Sequence, residues 1–169
     1  MKRQKTYGTS KRSGRRLWLI LAGVLILGII LLNLFGHFFQ LVRYYGDGMQ
    51  PALENGQTLL IAKDAEIAEG DIVAFYYNNK LLVRRVICTG GKQLSVDRDG
   101  TVRINDEVLD EPYVAEPSIG QCNQAFPCYV PPNSVFVMGD NRTVAMDSRL
   151  KEIGTISEDR ILGKVLFTD

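Results

Sequence analysis

The sequence predicts a mainly β fold, built as an antiparallel sheet or a partly closed barrel, behind one N-terminal transmembrane helix. Two observations lead to this prediction. An uncharged apolar run lies near the N-terminus, and short apolar segments separated by turn residues follow it over the rest of the 169-residue chain. A hydrophobic content of 46% is enough for one domain with a substantial core.

The apolar run extends from residue 17 to residue 42 without an Asp, Glu, Lys or Arg. As a helix rising about 1.5 Å per residue it would extend roughly 39 Å, more than the roughly 30 Å hydrocarbon core of a bilayer. It also lacks the polar stripe of a soluble core helix. We therefore predict a transmembrane anchor over 17–42. A cleaved secretory signal is the competing interpretation, but its apolar region is usually about 7–15 residues long and a small-x-small site follows it.

Charge divides the chain into two parts. Of the 20 Lys and Arg residues, seven lie in residues 1–16, which contain no Asp or Glu, so the other 13 accompany all 19 acidic residues, a net charge of −6. Basic flanks of membrane spans stay in the cytoplasm. This asymmetry predicts a cytoplasmic tail at 1–16 and an extracellular domain at 43–169. Because the span already accounts for the basic run, no nucleic-acid partner is expected.

Eight segments of the exported part are predicted strands, because they are short, rich in β-branched and aromatic residues, and bounded by turn residues. They are residues 58–63, 71–77, 81–89, 93–96, 101–104, 113–115, 135–140 and 161–167. One helical turn is predicted near 157–161.

The three cysteines and the lone histidine exclude a metal site. Cys122 and Cys128 bracket a short loop, and outside the cytoplasm such a pair predicts a disulfide. Cys88 is either a buried apolar residue or a free thiol. His37 falls within the predicted span, so two thiols and this imidazole cannot supply four zinc ligands. We expect neither a metal nor a cofactor.

Four segments, taken in order, carry a family resemblance. They are GDGMQPAL (46–53), GDIVAF (70–75), VRRVICTGG (83–91) and MGDNRTVAMDSR (138–149). Together they resemble the sequence boxes of the type I signal peptidases, which are membrane-anchored serine endopeptidases that remove signal peptides from exported proteins. A further segment, INDEVLDEPY (104–113), is similar to a connector in that family. The resemblance covers the anchor and essentially the whole exported domain.

The resemblance implies a signal-peptidase-like fold and a Ser–Lys dyad, in which a lysine of lowered pKa takes the serine proton and a second serine orients the lysine. It places the nucleophile at Gly48, the general base at Arg84 and the orienting serine at Ala145. Glycine has no oxygen to acylate, a guanidinium stays protonated to about pH 12, and alanine has no hydrogen-bonding group. The chain therefore resembles a catalytically degenerate member.

Other positions keep the family identity and are expected to support the site. A buried network of alternating charge is predicted, with a solvated charged patch as the alternative, for Arg85, Asp140, Arg142, Asp147, Ser148 and Arg149. Met49 and Pro51 either line a peptide groove or are core and turn residues.

Two side chains are candidate substitutes for the missing nucleophile. Asp47 could activate a water molecule, although peptidases of that kind use two carboxylates. Cys88 could form a thiolate if the nearby Arg84 and Arg85 lowered its pKa.

The resemblance extends to degenerate members of pilus gene clusters in Gram-positive bacteria, which resemble chaperones for sortase-driven pilin polymerisation. It implies an accessory protein that binds exported or pilin segments as an added strand and works beside sortase. Two alternatives stay open. One is an active peptidase that cleaves signal peptides or pilin precursors with a non-standard nucleophile. The other is a partner or regulator of an active signal peptidase in the same membrane.

Overall fold

The computed structural model describes residues 11–168, so most of the predicted basic tail lies outside the described residues. Helix α1 occupies Lys11–Phe38, and a second compact unit begins at Phe39. Within α1, the 22 residues Leu17–Phe38 are long and apolar enough to cross a membrane. At about 1.5 Å per residue they extend roughly 33 Å. Asn33 is one of the few polar residues in this range, and its side-chain amide donates to the carbonyl of Ile29, 2.8 Å away.

The helix ends four residues before the predicted end of the span. Residues Phe39–Arg43 form the first strand, which pairs antiparallel with Thr58–Ala62. The prediction that the helix of the span extends to residue 42 was therefore wrong, because residues 39–42 belong to a strand. The composition does not mark this boundary, because residues 37–42, which include the end of the helix and most of the strand, contain no Gly, Pro, Asp, Glu, Lys or Arg.

Eleven strands follow in chain order, and all of their pairings are antiparallel. They are β1 (Phe39–Arg43), β2 (Thr58–Ala62), β3 (Ile72–Tyr77), β4 (Lys80–Thr89), β5 (Gln93–Val96), β6 (Val102–Ile104), β7 (Glu107–Val108), β8 (Cys128–Tyr129), β9 (Ser134–Met138), β10 (Ile156–Ser157) and β11 (Ile161–Thr168). A seven-stranded sheet has the order β1-β2-β11-β3-β4-β9-β10, and a four-stranded sheet has the order β7-β6-β5-β8. The predicted mainly β fold is confirmed, as two open sheets and not as a closed barrel.

Seven of the eight predicted strands are present, within about two residues at each end. The exception is 113–115, which forms a turn and a bend. The predicted helical turn is confirmed as the 3-10 helix Glu158–Arg160. The strands that the sequence did not predict, apart from β1, contain only two residues each, too few to show a period-two pattern.

Strand β9 explains where the core lies and why the loop after it is fixed. All five of its residues are buried, and its four apolar residues alternate between two apolar clusters. Val135 and Val137 pack with β3, whereas Phe136 and Met138 pack with residues of the smaller sheet. A strand buried on both faces is a rigid base, and the chain leaves it directly into the segment 139–149.

Candidate functional site

The three positions that the resemblance assigned to catalysis lie together. Gly48 is in the loop between β1 and β2, Arg84 is in β4, and Ala145 follows β9. A Cβ built on Gly48 would lie 3.1 Å from Arg84 Nη2 and 3.2 Å from its Cζ. Gly139 lies between the other parts, since a Cβ there would come within 2.3 Å of both Ala145 Cβ and the Gly48 carbonyl oxygen. The guanidinium therefore fills the space beside Gly48.

Arg84 is a buried cation held by main-chain carbonyls. Its side chain is in a residue only 6% exposed, its Nε donates to the Met146 carbonyl at 2.9 Å, and its Nη1 donates to the Val83 carbonyl at 2.6 Å. Among the described residues, no carboxylate forms an ion pair with it. Burial lowers the pKa of Arg84, and the charge of Asp147 opposes that shift.

Tyr44 is a site residue that the sequence did not indicate. Its hydroxyl is buried and forms no hydrogen bond of normal geometry with any described residue, although it lies close enough to Arg84 to interact with the charge. Burial raises the pKa of this hydroxyl, so it remains a neutral phenol. The sequence does not indicate a role for Tyr44, because it is one of several aromatic residues at the end of an apolar run.

A cavity of about 240 Å³ opens beside these groups. We call it the Arg84 pocket, and its lining includes Tyr44, Asp47, Gly48, Leu82, Arg84 and Met146. Val144 and Met146 are exposed at its edge. The pocket thus combines a cationic floor with apolar walls.

The structure does not support either substitute nucleophile. Asp47 is exposed, accepts a hydrogen bond from Gln50 Nε2 at 3.2 Å and forms no ion pair with Arg84 in the described part of the chain. No second carboxylate lines the Arg84 pocket, so the paired acids of an aspartic peptidase are missing there.

Cys88 was a candidate thiolate nucleophile if the neighbouring arginines lowered its pKa, and the structure does not favour that possibility. The residue is fully buried in an apolar cluster, and this burial raises the pKa of its thiol to about 11. The negative charge of Glu69 acts in the same direction. The alternative that Cys88 is a buried apolar residue is confirmed.

We expect Cys88 to be nearly inert toward alkylation at pH 7.5. A thiol with a pKa of about 11 is almost wholly protonated there, and only the thiolate reacts. Iodoacetamide labelling followed by mass spectrometry should modify Cys88 at least about tenfold more slowly in the folded protein than in urea. The half-buried Cys122 serves as the internal control. Equal labelling rates for the two residues would contradict this assignment.

The predicted disulfide is absent from the structure. Cys122 and Cys128 are both free, and Cys122 Sγ donates instead to the Gln124 carbonyl at 3.6 Å. Cys128 belongs to β8, where it pairs with Leu94, so the strand fixes its position independently of Cys122. The described residues contain no cluster of His, Cys, Asp and Glu that could hold a metal ion.

Met49 and Pro51 have different environments. Met49 is fully buried with Leu53, Leu59 and Ile61, so it is a core residue and does not line a groove. Pro51 is exposed.

The predicted network of buried charges is present and begins at Arg85. Its Nε and Nη2 donate to the two oxygens of Asp140, at 2.8 and 2.5 Å, and its Nη1 donates to the Gly70 carbonyl. The guanidinium also lies 4.1 Å from the ring centroid of Tyr113, a cation–π contact. These contacts connect β4 to the start of the segment after β9.

Asp147 is the centre of the network. Both of its oxygens accept from Arg149, at 2.8 Å each, and the same carboxylate accepts from the main-chain amides of Gly139 and Arg149. Both side chains are fully buried. Ser148 adds a side-chain bond, because its hydroxyl accepts from the amide of Val137 at 3.0 Å. The segment 139–149 is thereby tied back to β9.

Arg142 is bound by a residue that the sequence did not single out. Its Nη1 and Nη2 donate to the two oxygens of Glu111, at 2.9 and 2.6 Å. The Tyr113 hydroxyl also donates to Glu111. Both partners belong to the connector 104–113, whose similarity to the family was the signal that could have found them.

Comparisons with known proteins agree with this architecture. The family model of the signal peptidases, peptidase S26, matches residues 16–168. Signal peptidase I T of Bacillus subtilis (strain 168) is 30% identical over 183 residues, covering 99% of this chain and 94% of the relative. Signal peptidase I of Bacillus amyloliquefaciens is 33% identical over 157 residues, covering 85% and 80%. The crystal structure of a signal peptidase I from Enterococcus faecalis V583 is 28% identical with a TM-score of 0.51, over 61% of this chain and 98% of that one. The chain belongs to the signal peptidase family, peptidase S26.

Proposed function

We propose that this chain is a non-catalytic member of the family, which binds exported polypeptides without cleaving them. The observation that carries the proposal is the position of Arg84, whose guanidinium packs against Gly48 where the dyad would stand. A permanently protonated base, a glycine in place of the nucleophile and an alanine in place of the orienting serine leave no route to an acyl-enzyme.

The retained network of buried ion pairs supports binding as the function. Two buried arginines and the half-buried Arg85 hold the segment after β9 through Asp147, Glu111 and Asp140. Removing one partner of such a pair is strongly destabilising. The network therefore holds the surface around the site in one defined conformation. A surface of defined conformation that lacks a nucleophile can bind a polypeptide without cleaving it.

Cargo and location are further parts of the proposal. As the resemblance to proteins of pilus gene clusters implies, we propose pilin segments as the bound chain and sortase as the enzyme that takes them up. The seven basic residues before the span support a tail in the cytoplasm and a β domain outside.

A second candidate function is cleavage, which is favoured by the names of the relatives, since those compared above are all called signal peptidase I. Against it stand the exposed, singly placed Asp47 and the buried Cys88 with its raised pKa.

A binding experiment tests the proposal. The full-length protein in nanodiscs is immobilised and exposed to a pilin precursor, to a generic secreted precursor and to the same precursors lacking their export segments. We expect saturable binding of the intact pilin precursor. Binding of none of the four chains would contradict the proposal. Enrichment of an active signal peptidase from the same membrane, with no precursor bound, would support the partner role instead.

Restoring the side chains of the dyad should recover little activity. We expect the triple variant Gly48→Ser, Arg84→Lys, Ala145→Ser to stay at or near background in a precursor-cleavage assay. The reason is that Cys88 and Gly90 also depart from the Gly and Pro of the family. Gly90 packs so closely on Pro131 that a Cβ would lie 2.5 Å from its carbonyl oxygen. Clear turnover would contradict this expectation and would support the residue assignments.

A further inference from the structure

Arg84 differs from three neighbouring arginines, the buried Arg142 and Arg149 and the half-buried Arg85, in having no acidic partner among the described residues. Arg85, Arg142 and Arg149 each form a bidentate pair with a carboxylate. Arg84 is 6% exposed, two main-chain carbonyls accept from it, and its Nη2 forms no hydrogen bond of normal geometry with a described residue, although the guanidinium interacts with the Tyr44 hydroxyl. A buried guanidinium without a counter-charge is costly, so this site is electrostatically incomplete.

A second group at the same place is also incomplete. The buried Tyr44 hydroxyl forms no hydrogen bond of normal geometry in the described chain. Its oxygen interacts with the Arg84 guanidinium and with the main chain of Met49, so its proton is left without an acceptor. Leaving a buried polar group unpaired is costly. Because the hydroxyl lies beside the guanidinium, one ligand with two acceptor oxygens could satisfy both donors.

The Arg84 pocket gives such a ligand access. Its volume of about 240 Å³ admits one small residue or the end of a peptide. Leu81, Leu82, Val144 and Met146 contribute apolar lining around the cationic floor. A planar anion attached to an apolar chain matches this distribution, and a guanidinium binds a carboxylate in two-pronged geometry.

We propose that the Arg84 pocket is a carboxylate-binding site for an extended apolar peptide, in which Arg84 Nη2 and the Tyr44 hydroxyl donate to the two carboxylate oxygens. The inference rests on the proposed function, because it assigns the ligand of a site that no longer cleaves. The carboxylate can belong to the C-terminus of the peptide or to an acidic side chain, and the experiment separates these two sources.

The charge of Asp47 affects the expected affinity of the site for a carboxylate. It is the acidic residue in the pocket lining, and it is exposed and bonded to Gln50. Its negative charge opposes an incoming carboxylate, although solvent screens the repulsion. Removing this charge should therefore tighten carboxylate binding, the opposite of what loss of Arg84 should do.

Three matched peptides test the site on the full-length protein in detergent, by titration calorimetry. They are N-acetyl-Ala-Val-Ala as the free acid, the same peptide as the C-terminal amide, and N-acetyl-Ala-Val-Asp as the amide. We expect at least one carboxylate peptide to bind about tenfold or more tightly than the neutral amide. A preference for the first identifies the peptide C-terminus as the source, and a preference for the third identifies the acidic side chain.

Variants of the residues that line the pocket test where the carboxylate binds. Arg84→Gln should abolish the preference, Tyr44→Phe should weaken it severalfold, and Asp47→Asn should strengthen it. Arg103→Gln is the control, because Arg103 is half-exposed in the smaller sheet and paired with Asp97. Tyr44→Phe and Asp47→Asn keep the test decisive if Arg84→Gln fails to fold.

The outcomes distinguish the two proposals. Equal binding of all three peptides, or a preference that survives Tyr44→Phe and ignores Asp47→Asn, would overturn the carboxylate site and leave the non-catalytic role standing. Cleavage of precursors by a protein that still shows the preference would overturn the non-catalytic role and leave the carboxylate site standing.

Discussion

Replacing Asp147 with Ala should lower the free energy of unfolding by about 3–5 kcal/mol, because it strands a fully buried guanidinium. Arg149 would lose both carboxylate oxygens and keep main-chain acceptors only, at Ile119 and Ser118. The amide of Gly139 would lose its acceptor as well. Urea unfolding followed by circular dichroism measures this change.

The matched control is Asp97→Ala. Asp97 also pairs with an arginine, Arg103, but both side chains are partly exposed, at 48% and 39%. Exposed pairs contribute about 0–1 kcal/mol, so this variant should stay within about 1 kcal/mol of the parent. Similar losses for the two variants would contradict the account of a buried supporting network.

Replacing Gly139 with Ala should cost about 2–3 kcal/mol and disturb the loop that carries Gly48. The new Cβ would lie 2.3 Å from the Gly48 carbonyl oxygen, a main-chain atom that can yield only if the loop moves. That carbonyl also accepts from the amide of Asn141 at 3.1 Å, a bond that joins the two segments of the site.

Thermal unfolding of Gly139→Ala and of a control, Gly28→Ala, measures the effect. Gly28 lies in α1, where an added Cβ would meet no atom within 4 Å, and alanine favours helix there. The control should therefore show no loss of stability. A Gly139→Ala protein as stable as the parent would mean that the close approach of Gly139 to Gly48 is not enforced.

Local patterns predicted most of the fold. β-branched and aromatic segments such as 72–77 and 93–96 became strands where expected. The failures have physical causes. Strand β1 continues an apolar helix without a break, and Tyr113, predicted in a strand, packs on Arg85 from a turn. In both cases the local structure depends on residues that are distant in the chain, and a short stretch of sequence does not contain them.

The candidate site was predictable only in part. Family resemblance brought together Gly48, Arg84 and Ala145, which are far apart in the chain and adjacent in the structure. It did not supply Tyr44, whose role arises from contacts across the fold, and it assigned no role to Glu111, although Glu111 lies in the connector 104–113 that is similar to the family. Nearness in sequence to Arg84 is not nearness of side chains, so Cys88 is not a thiolate candidate in the structure, and its thiol lies in an apolar cluster.

The measurement that tests the central claim most directly is a search for cleavage products. The full-length protein in detergent is mixed with pilin precursors and a generic secreted precursor, and the N-termini are read by mass spectrometry. Signal peptidase I T of Bacillus subtilis is the positive control, and Asp47→Ala and Cys88→Ala are run in parallel. We predict intact precursors in every sample except the positive control. New N-termini that appear with the parent protein and vanish in one of the two variants would contradict the account, by identifying an enzyme with a relocated nucleophile.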